Sequence, residues 1–598
     1  MIRPFLLALS LTVAVPAMAQ DYRERLPEDE IVYFLLPDRF ENGDPSNDRG
    51  GIEGDRLATG FDPTHKGFYH GGDLKGLMQR LNYIEALGVT AIWVAPIFKN
   101  KAVQGPEGQE SAAYHGYWVT DFHSVDPHLG TNEDFKALVE AAHARGIKVY
   151  MDIIANHTAD VIQFRECGIQ ACEYRSRADY PYQRKGGIGG EPINPGFAGD
   201  HVRTAENFAR LTDPSFAYTP WIPEAERGIK NPAWLNDPIY YHNRGNSTFW
   251  DESGTMGDFV GLDDLMTENP RVVEGMVEIF GSWIDRFKVD GFRIDTARHV
   301  NPEFWQAFVP AMLERAEANG IPNFHIFGEV ALNGVAELAE HTRVDGLPTV
   351  LDFAFTDAVN QVAGGKAGTR MLAHLFEADA LYEGGTETAH QLPTFIGNHD
   401  QGRAGLFLRQ YSPGASLDEL LERSKLAHAM LLLLRGVPTI YSGDEQGFIG
   451  DGGDQDARED MFPSKVAIYN DNALMGTERT TADSNFDAGH ALFREIAALA
   501  RLRRGHPALS RGRQVTRAAG ETPGLFAVSR FDPITGAEYL VAFNSARDEW
   551  QGNVQVEEAS ERFEALSGQC PSTASAPGTV ALSIPALGHI VCAARAGE

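Results

Sequence analysis

Lys148-Val-Tyr-Met-Asp-Ile-Ile-Ala-Asn-His157 is a short apolar, β-branched run that ends in polar side chains. It reads as a buried strand. Residues 31–40, 91–96, 291–295, 325–330, 349–355, 393–400 and 438–445 have the same character. Amphipathic stretches lie between them. In residues 132–145, Phe135, Leu138, Val139 and Ala142 recur at helical spacing. Eight strands alternating with helices predict an α/β fold, a (β/α)8 TIM barrel. A doubly wound open sheet alternates in the same way, so periodicity alone leaves both open.

Two stretches break the alternation. Residues 158–257 are rich in Gly, Pro, Asn and aromatics and show neither period. A structureless loop of that length is improbable in a compact domain, so it reads as an insertion after strand 3. The barrel then comprises residues 20–157 and 258–511. From residue 512 the helical spacing stops. Runs at 525–531, 538–544 and 579–594 predict a C-terminal antiparallel β-domain, a sandwich, over 512–598.

Acidic residues outnumber basic ones by 83 to 52, giving a formal net charge of −31 over 598 residues. That sign repels phosphate backbones and anionic lipid, which argues against a nucleic-acid partner. It does not repel a neutral sugar polymer. Residues 1–19 read as a signal peptide: Arg3, an apolar run over 5–15, then Ala17-Met18-Ala19 before Gln20. No Cys follows the cleavage site, so no lipid or membrane anchor is expected. The expected location is periplasmic or secreted. In an exported chain, Cys167 with Cys172 and Cys570 with Cys592 read as local disulfides.

Catalytic groups of a (β/α)8 barrel sit at the C-terminal ends of its strands. Here those ends carry Asp152, Asn156 and His157; Arg293 and Asp295; Glu329; and His399 and Asp400. Three carboxylates (Asp295, Glu329 and Asp400) and one arginine could converge on one mouth, with no Ser or Cys nucleophile among them. Such a set suits glycoside hydrolysis, where one carboxylate attacks and one acid protonates the leaving oxygen. Arg293 precedes Asp295 by two residues, shares its face, and should hold it ionised. Asp152 could orient Arg293. Glu329, crowded by like charge, should keep a proton.

The segments Asp152-Ile-Ile-Ala-Asn-His157, Gly291-Phe-Arg-Ile-Asp-Thr-Ala-Arg-His299, Phe327-Gly-Glu-Val330 and Phe395-Ile-Gly-Asn-His-Asp400 occur in this order. With Ala113-Tyr-His-Gly-Tyr-Trp118 and Gly436-Val-Pro-Thr-Ile-Tyr441, the chain resembles the α-amylase family of glycoside hydrolases. The resemblance covers roughly residues 28–507. It implies a retaining mechanism with Asp295 as nucleophile, Glu329 as general acid/base and Asp400 as transition-state stabiliser. It places Arg293, His157 and His399 on the sugar at the cleavage point, Tyr117 stacked on that sugar and His115 beside it. Arg298 and His299 fall on the leaving-group side. The insertion matches the family's domain B, and the C-terminal domain its domain C.

Asn42-Gly-Asp-Pro-Ser-Asn-Asp48 groups oxygen donors around a turn, as a calcium loop does. An Asx-rich turn would look the same. Cyclodextrin-acting members of the family carry a similar loop and a later Gly-Gly-Asp, like Gly71-Gly72-Asp73 here. The resemblance therefore implies a structural Ca2+ on Asn42, Asp44, Asn47, Asp48, the Gly71 carbonyl and Asp73. The family's other calcium, between barrel and domain B, is not expected. Met266 stands where many amylases have a liganding Asp, and a thioether is a poor ligand for it.

The expected activity is hydrolysis of α-1,4-glucosidic bonds in an α-glucan, as in starch or maltodextrin. The alternatives are a cyclomaltodextrinase, neopullulanase or cyclodextrin-forming transglycosylase, and a non-catalytic glucan-binding protein. Linkage preference, endo or exo action and oligomeric state are not legible.

Overall fold

The computed structural model describes residues 22–167 and 172–595, so the expected signal peptide lies outside the described residues. Eight parallel strands form one sheet: β1 (Val32–Leu35), β2 (Ala91–Val94), β3 (Lys148–Ile154), β4 (Gly291–Asp295), β5 (His325–Gly328), β6 (Thr349–Val350), β7 (Pro393–Thr394) and β8 (Val437–Tyr441). Each neighbours the next in sequence except β6 and β7, and β1 also pairs with β8. Between β6 and β7 the ring closes through one parallel bridge, Asp352 to Thr394, with the Asp352 amide donating to the Pro393 carbonyl at 2.9 Å. A doubly wound sheet would leave two free edges. The closing residue is anchored from below: Arg435 Nη1 lies 2.5 Å from the buried Asp352 carboxylate, and its other nitrogens hold Asp379. Strands β1 to β4 are buried at every position, as a sheet covered on both faces requires.

Three strands are shorter than the apolar runs suggest. Pro37 opens a helical turn, Pro37–Phe40, because its ring presets φ for a first helical position. Asp352 caps the helix Phe353–Ala363 by accepting the Phe355 amide at 2.9 Å. Asn398 accepts the amides of Asp400 and Gln401 at 3.0 and 2.7 Å, which turns the chain soon after β7.

Between β3 and β4 the chain makes a long excursion. Its regular elements are short, such as the strand pair Gln163–Phe164 with Pro220–Trp221 and the helices Ala205–Phe208 and Asp251–Met256. It has an apolar cluster of its own, including Tyr182, Phe197, Phe208, Phe216 and Met266. The Cys167–Cys172 disulfide lies within it. The excursion returns through the strand Asp263–Asp264, which pairs antiparallel with His157–Thr158 just after β3. Two buried ionic contacts fasten this junction. Lys230 pairs with Asp263, which also accepts the Val161 and Ile162 amides, and Lys230 reaches the Tyr241 hydroxyl at 3.1 Å. His242 lies between Asp264 at 2.6 Å and Glu268 at 3.0 Å.

The C-terminal part is antiparallel. Its strands are β9 (Arg513–Ala518), β10 (Leu525–Phe531), β11 (Glu538–Asn544), β12 (Trp550–Gln555), β13 (Phe563–Ser567), β14 (Thr579–Ile584) and β15 (His589–Ala594). A five-stranded sheet runs β9-β10-β11-β15-β13, and β12 pairs with β14. One cluster, including Leu540, Ala542, Val554, Leu582 and Ile590, draws on both sheets. The single run expected at 579–594 is thus two strands in different sheets, broken at Pro585, which donates no backbone hydrogen bond. The Cys570–Cys592 disulfide ties β15 to the loop after β13.

No helix among the described residues is long and apolar enough to cross a membrane.

Burial alone would depress His242, but Glu268 and Asp264 outweigh it and push its pKa up to about 10. Burial also pushes Asp264 up to about 7, against the pull of His242. Both ring nitrogens face carboxylates, which only the imidazolium can satisfy, so the charged ring is the native state. Its pKa is raised on folding. Its contribution to stability is therefore fully present below about pH 6.5 and lost as pH rises through the folded value. Unfolding of wild type and His242→Gln, compared from about pH 6 upward, should show a gap that narrows toward alkaline pH. A gap of constant size refutes the charged pairing.

Candidate active site

Arg293 is the centre of the barrel mouth. The β3–β4 register sets it beside Asp152, and the two-residue strand period puts Asp295 on the same face. Its Nη1 donates to Asp152 Oδ1 at 2.8 Å and to Asp295 Oδ1 at 2.8 Å, and its Nη2 lies 3.0 Å from Glu329 Oε2. Three carboxyls thus share one guanidinium that is only 1% exposed. Asp152 is sealed beneath it, accepting from Trp93 Nε1 at 3.1 Å and the Tyr117 hydroxyl at 3.2 Å. It aims Arg293 and does not face the cleft.

Glu329 follows β5 and takes a second bond, from the Thr296 amide at 3.0 Å. Thr296 has φ +48°, a left-handed conformation rare for a β-branched residue. That turn aims its amide at Glu329.

Asp400 completes the carboxyl set. Its side chain is 41% exposed, the most open of the group. Arg458 Nη2 reaches its Oδ1 at 2.9 Å, and His399 Nε2 lies 3.3 Å from Oδ2. The same His399 nitrogen lies 2.7 Å from the Tyr117 hydroxyl. The half-buried Tyr117 ring stacks between His399 and His115, at 5.7 and 5.5 Å. His157 is buried against Phe259, with rings parallel at 5.9 Å, and its Nε2 has no partner. His299 Nδ1 donates to the Gly254 carbonyl at 2.7 Å, and Arg298 donates to the Phe249 carbonyl at 2.8 Å. Both therefore belong to the wall built by residues 249–259 of the excursion. Beside Trp118 opens a cavity of about 810 Å3, lined also by Asn246, Asp258 and Val260.

Burial pushes Glu329 up to about 7 and Asp152 up to about 8, against the pull of Arg293. Burial also raises Asp295 in spite of Arg293, so the arginine holds this carboxyl in place more firmly than it holds it ionised. Asp400 alone goes down: burial opposes this, but the charges of Arg458 and Arg293, with His399 beside it, prevail. Burial depresses His157 to about 4 and His399 to about 3, which leaves both rings neutral hydrogen-bonding groups at neutral pH.

In the N-terminal loop Asn42, Asp48 and Gly71 lie against one another, and Asn47 lies 3.5 Å from Asp73. Asn42 Nδ2 donates to Asp48 Oδ1 at 2.9 Å, and a Cβ at Gly71 would come within 2.7 Å of both side chains. Asp73 accepts the Gly43 and Asp44 amides at 3.1 and 2.7 Å and caps the helix Leu74–Gln79. The side-chain oxygens of Asn42 and Asn47 are buried without any partner. Asp44 turns outward instead, onto Lys75 Nζ at 2.6 Å. Among the described residues no group of three or more His, Cys, Asp or Glu is arranged around a metal position. At the barrel junction Asp263 is taken by Lys230, and Met266 is packed in the apolar cluster of the excursion.

Residues 34–512 match the family model for the α-amylase catalytic domain. The chain belongs to the α-amylase family. It is 46% identical over 541 residues to an α-amylase of Streptomyces lividans, covering 90% of this chain and 58% of that one. It therefore spans little more than half of that relative's length. An Anoxybacillus α-amylase structure superposes with a TM-score of 0.69 at 25% identity, covering 96% of this chain and 99% of the other. A cyclomaltodextrin glucanotransferase with a three-domain ABC distribution gives 0.69 at 26% identity, covering 94% and 99%.

Family motifs do not point to Arg458. It lies in the long loop after β8, where Arg458-Glu459-Asp460 reads as a solvated charge run, yet all three are buried. Arg458→Ala should free Asp400 to take up a proton and disorder it. A fall in kcat of about 10²-fold is expected, the scale for losing one charge-positioning contact, with the acid limb of the pH profile moved upward. Wild-type turnover and an unmoved limb would show that the Arg458–Asp400 contact is incidental.

Proposed function

We propose that the protein is a retaining α-glucan hydrolase that cleaves α-1,4-glucosidic bonds in starch, maltodextrins or maltooligosaccharides. One observation carries this reading: Asp295 and Glu329 are held on the two terminal nitrogens of a single guanidinium, with the exposed Asp400 beside them. Retention needs two carboxyls about 5 Å apart, close enough for one to attack while the other protonates. The Asp295 carboxylate attacks the anomeric carbon, and Glu329 gives its proton to the leaving glucosidic oxygen. A water then replaces that leaving group; Glu329 takes its proton, and the water oxygen displaces Asp295. Asp400 stabilises the positive charge that develops on the ring. His157, His399, Arg293, Tyr117 and His115 form the sugar's surroundings, and Arg298 and His299 the leaving-group side. The identity to the Streptomyces lividans α-amylase supports hydrolysis over transfer.

The excursion over 158–257 serves in this reading as domain B and residues 512–598 as domain C. The two disulfides support a periplasmic or secreted location. The N-terminal loop is read as a calcium site. Asn42, Asn47, Asp48, the Gly71 carbonyl and Asp73 would hold the ion, which would tie the segment after β1 to the helix Leu74–Gln79. The two unpartnered amide oxygens fit such a hard cation.

Asp295→Asn and Glu329→Gln should each lower turnover of maltoheptaose by about 10²–10⁴-fold with little change in unfolding. Glu329→Gln should lose far less on an activated aryl maltoside, whose leaving group needs no proton. Because Glu329 acts protonated, kcat/KM should fall as pH rises through about 7. Unchanged rates in both variants overturn the assignment, and faster opening of β-cyclodextrin than of maltoheptaose overturns the linear substrate.

Chelation should lower the thermal midpoint of the wild type, and Asp48→Ala should already have the lower midpoint and no longer respond. Identical midpoints with and without chelator remove the calcium from this reading.

A further inference from the structure

At the N-terminal foot of the barrel, opposite the catalytic mouth, lies a cavity of about 410 Å3. Its walls include Thr90 and Ile147, the residues just before β2 and β3. Five arginines line it, Arg25, Arg145, Arg503, Arg504 and Arg511, against two carboxylates, Asp29 and Glu85. The surplus is three positive charges, in a chain whose net charge is −31.

Among the described residues Arg25, Arg145 and Arg511 each have a carboxylate partner, and Arg503 and Arg504 do not. Arg503 is 1% exposed and is held by carbonyls: Nη1 by Leu432 and Leu509, each at 2.9 Å, and Nη2 by Gly436 at 2.6 Å. Its Nε has no partner. Arg530, also buried, is likewise bound to the carbonyls of Gly512, Leu433 and Ser510. Among the described residues neither has a carboxylate within ion-pair distance, and Arg504 has neither a hydrogen bond nor an ion pair. Of the nearby acids, Glu28 keeps one buried oxygen without a partner and acts on both Arg503 and Arg511; the others are committed. Asp29 takes the Ser510 hydroxyl and Arg511, Glu30 takes Arg25 and Lys148, and Glu85 lies 3.6 Å from Arg145.

A buried guanidinium is costly unless its charge is matched, and an anion drawn into the cavity would add to what Glu28 and Asp29 supply. A planar guanidinium fork matches the tetrahedral oxygens of a phosphoryl group better than a spherical halide does, and Arg504, which lines the cavity without a partner, has such a fork free. The volume also leaves room for an organic substituent. We propose that this cavity is a binding site for a phosphoryl oxyanion, either inorganic phosphate or a phosphate monoester. Burial lowers the Arg503 pKa to about 10, against the pull of Asp29 and Glu28. The site lies on the face away from Asp295 and Glu329, so it is independent of the hydrolase reading.

The test is calorimetric titration of the full chain at fixed ionic strength with inorganic phosphate, glucose 6-phosphate, glucose and chloride. Saturable binding near one per chain is expected for phosphate. The thermal midpoint should rise by about 1–3 °C, and chloride and glucose should do nothing. Binding of glucose 6-phosphate as well identifies a monoester site; binding of phosphate alone identifies a site for the free ion. Arg503→Met could fail to fold, so the partly exposed residues carry the test. Arg504→Ala and Arg145→Ala should weaken phosphate binding at least tenfold, with maltoheptaose turnover and the phosphate-free midpoint unchanged. No saturable phosphate binding, or binding untouched by both substitutions, overturns the proposal.

Discussion

Arg293 is almost wholly removed from water and lies in contact with Asp152, Asp295 and Glu329. A guanidinium cannot shed its charge by losing its proton, as a buried lysine can, so it must be compensated where it sits. The effective penalty for burying one ion is several kcal/mol. Asp152 accepts from its Nη1 at 2.8 Å from below, which leaves the outer edge of the guanidinium to fix two carboxyls above it. The planar fork determines where Asp295 and Glu329 can stand relative to each other. A lysine ammonium would satisfy the charge but not the spacing.

This arrangement depends on register more than on loops. Arg293 pairs with Asp152 on one side and with Phe327 on the other, and Ile294 pairs with Gly328, the residue before Glu329. A slip of one residue in β4 would turn Arg293 and Asp295 to the far face of the sheet. Register therefore also sets the geometry of the candidate site. Trp93 from β2 and Tyr117 from the loop after it add hydrogen bonds to Asp152, so three strands and one loop converge on a single carboxylate. The same burial that makes the cluster rigid raises Glu329 and Asp152, and only the better-exposed Asp400, with a second arginine of its own, is held low.

What the sequence revealed followed from short-range pattern. Apolar runs ending in Asp, Asn, His or Glu located the strand ends, and four of them proved to converge. Ring closure was not readable, because β6 and β7 are two residues long and meet through Asp352, a residue equally suited to cap a helix. Proline at position 37 and the Asn398 turn end strands that hydrophobicity alone would extend. Arg458 and Lys230 carried no local signal. Each is a single basic residue in a stretch without period, and its partner lies 58 or 33 residues away. Long-range ion pairs are a product of packing and leave no spacing behind.

The excursion shows how such pairs reach the chemistry. Asp263 and Asp264 pair with Thr158 and His157 in a ladder only two residues long. A strand pair of that length has little stability of its own. It is fixed because Lys230 grips Asp263 and His242 grips Asp264, both from within the excursion. His157, whose free nitrogen lies at the edge of the site, belongs to that ladder. So does the approach to Phe259, the ring stacked on His157. The wall beside the carboxyl cluster is thus set by buried charge at its root, and weakening either ionic contact would act on the site through the position of His157 before it acted on the barrel. Breaking one partner of such a buried pair costs about 3–5 kcal/mol, more than a two-residue ladder can absorb. The junction and the cleft wall therefore rise or fall together.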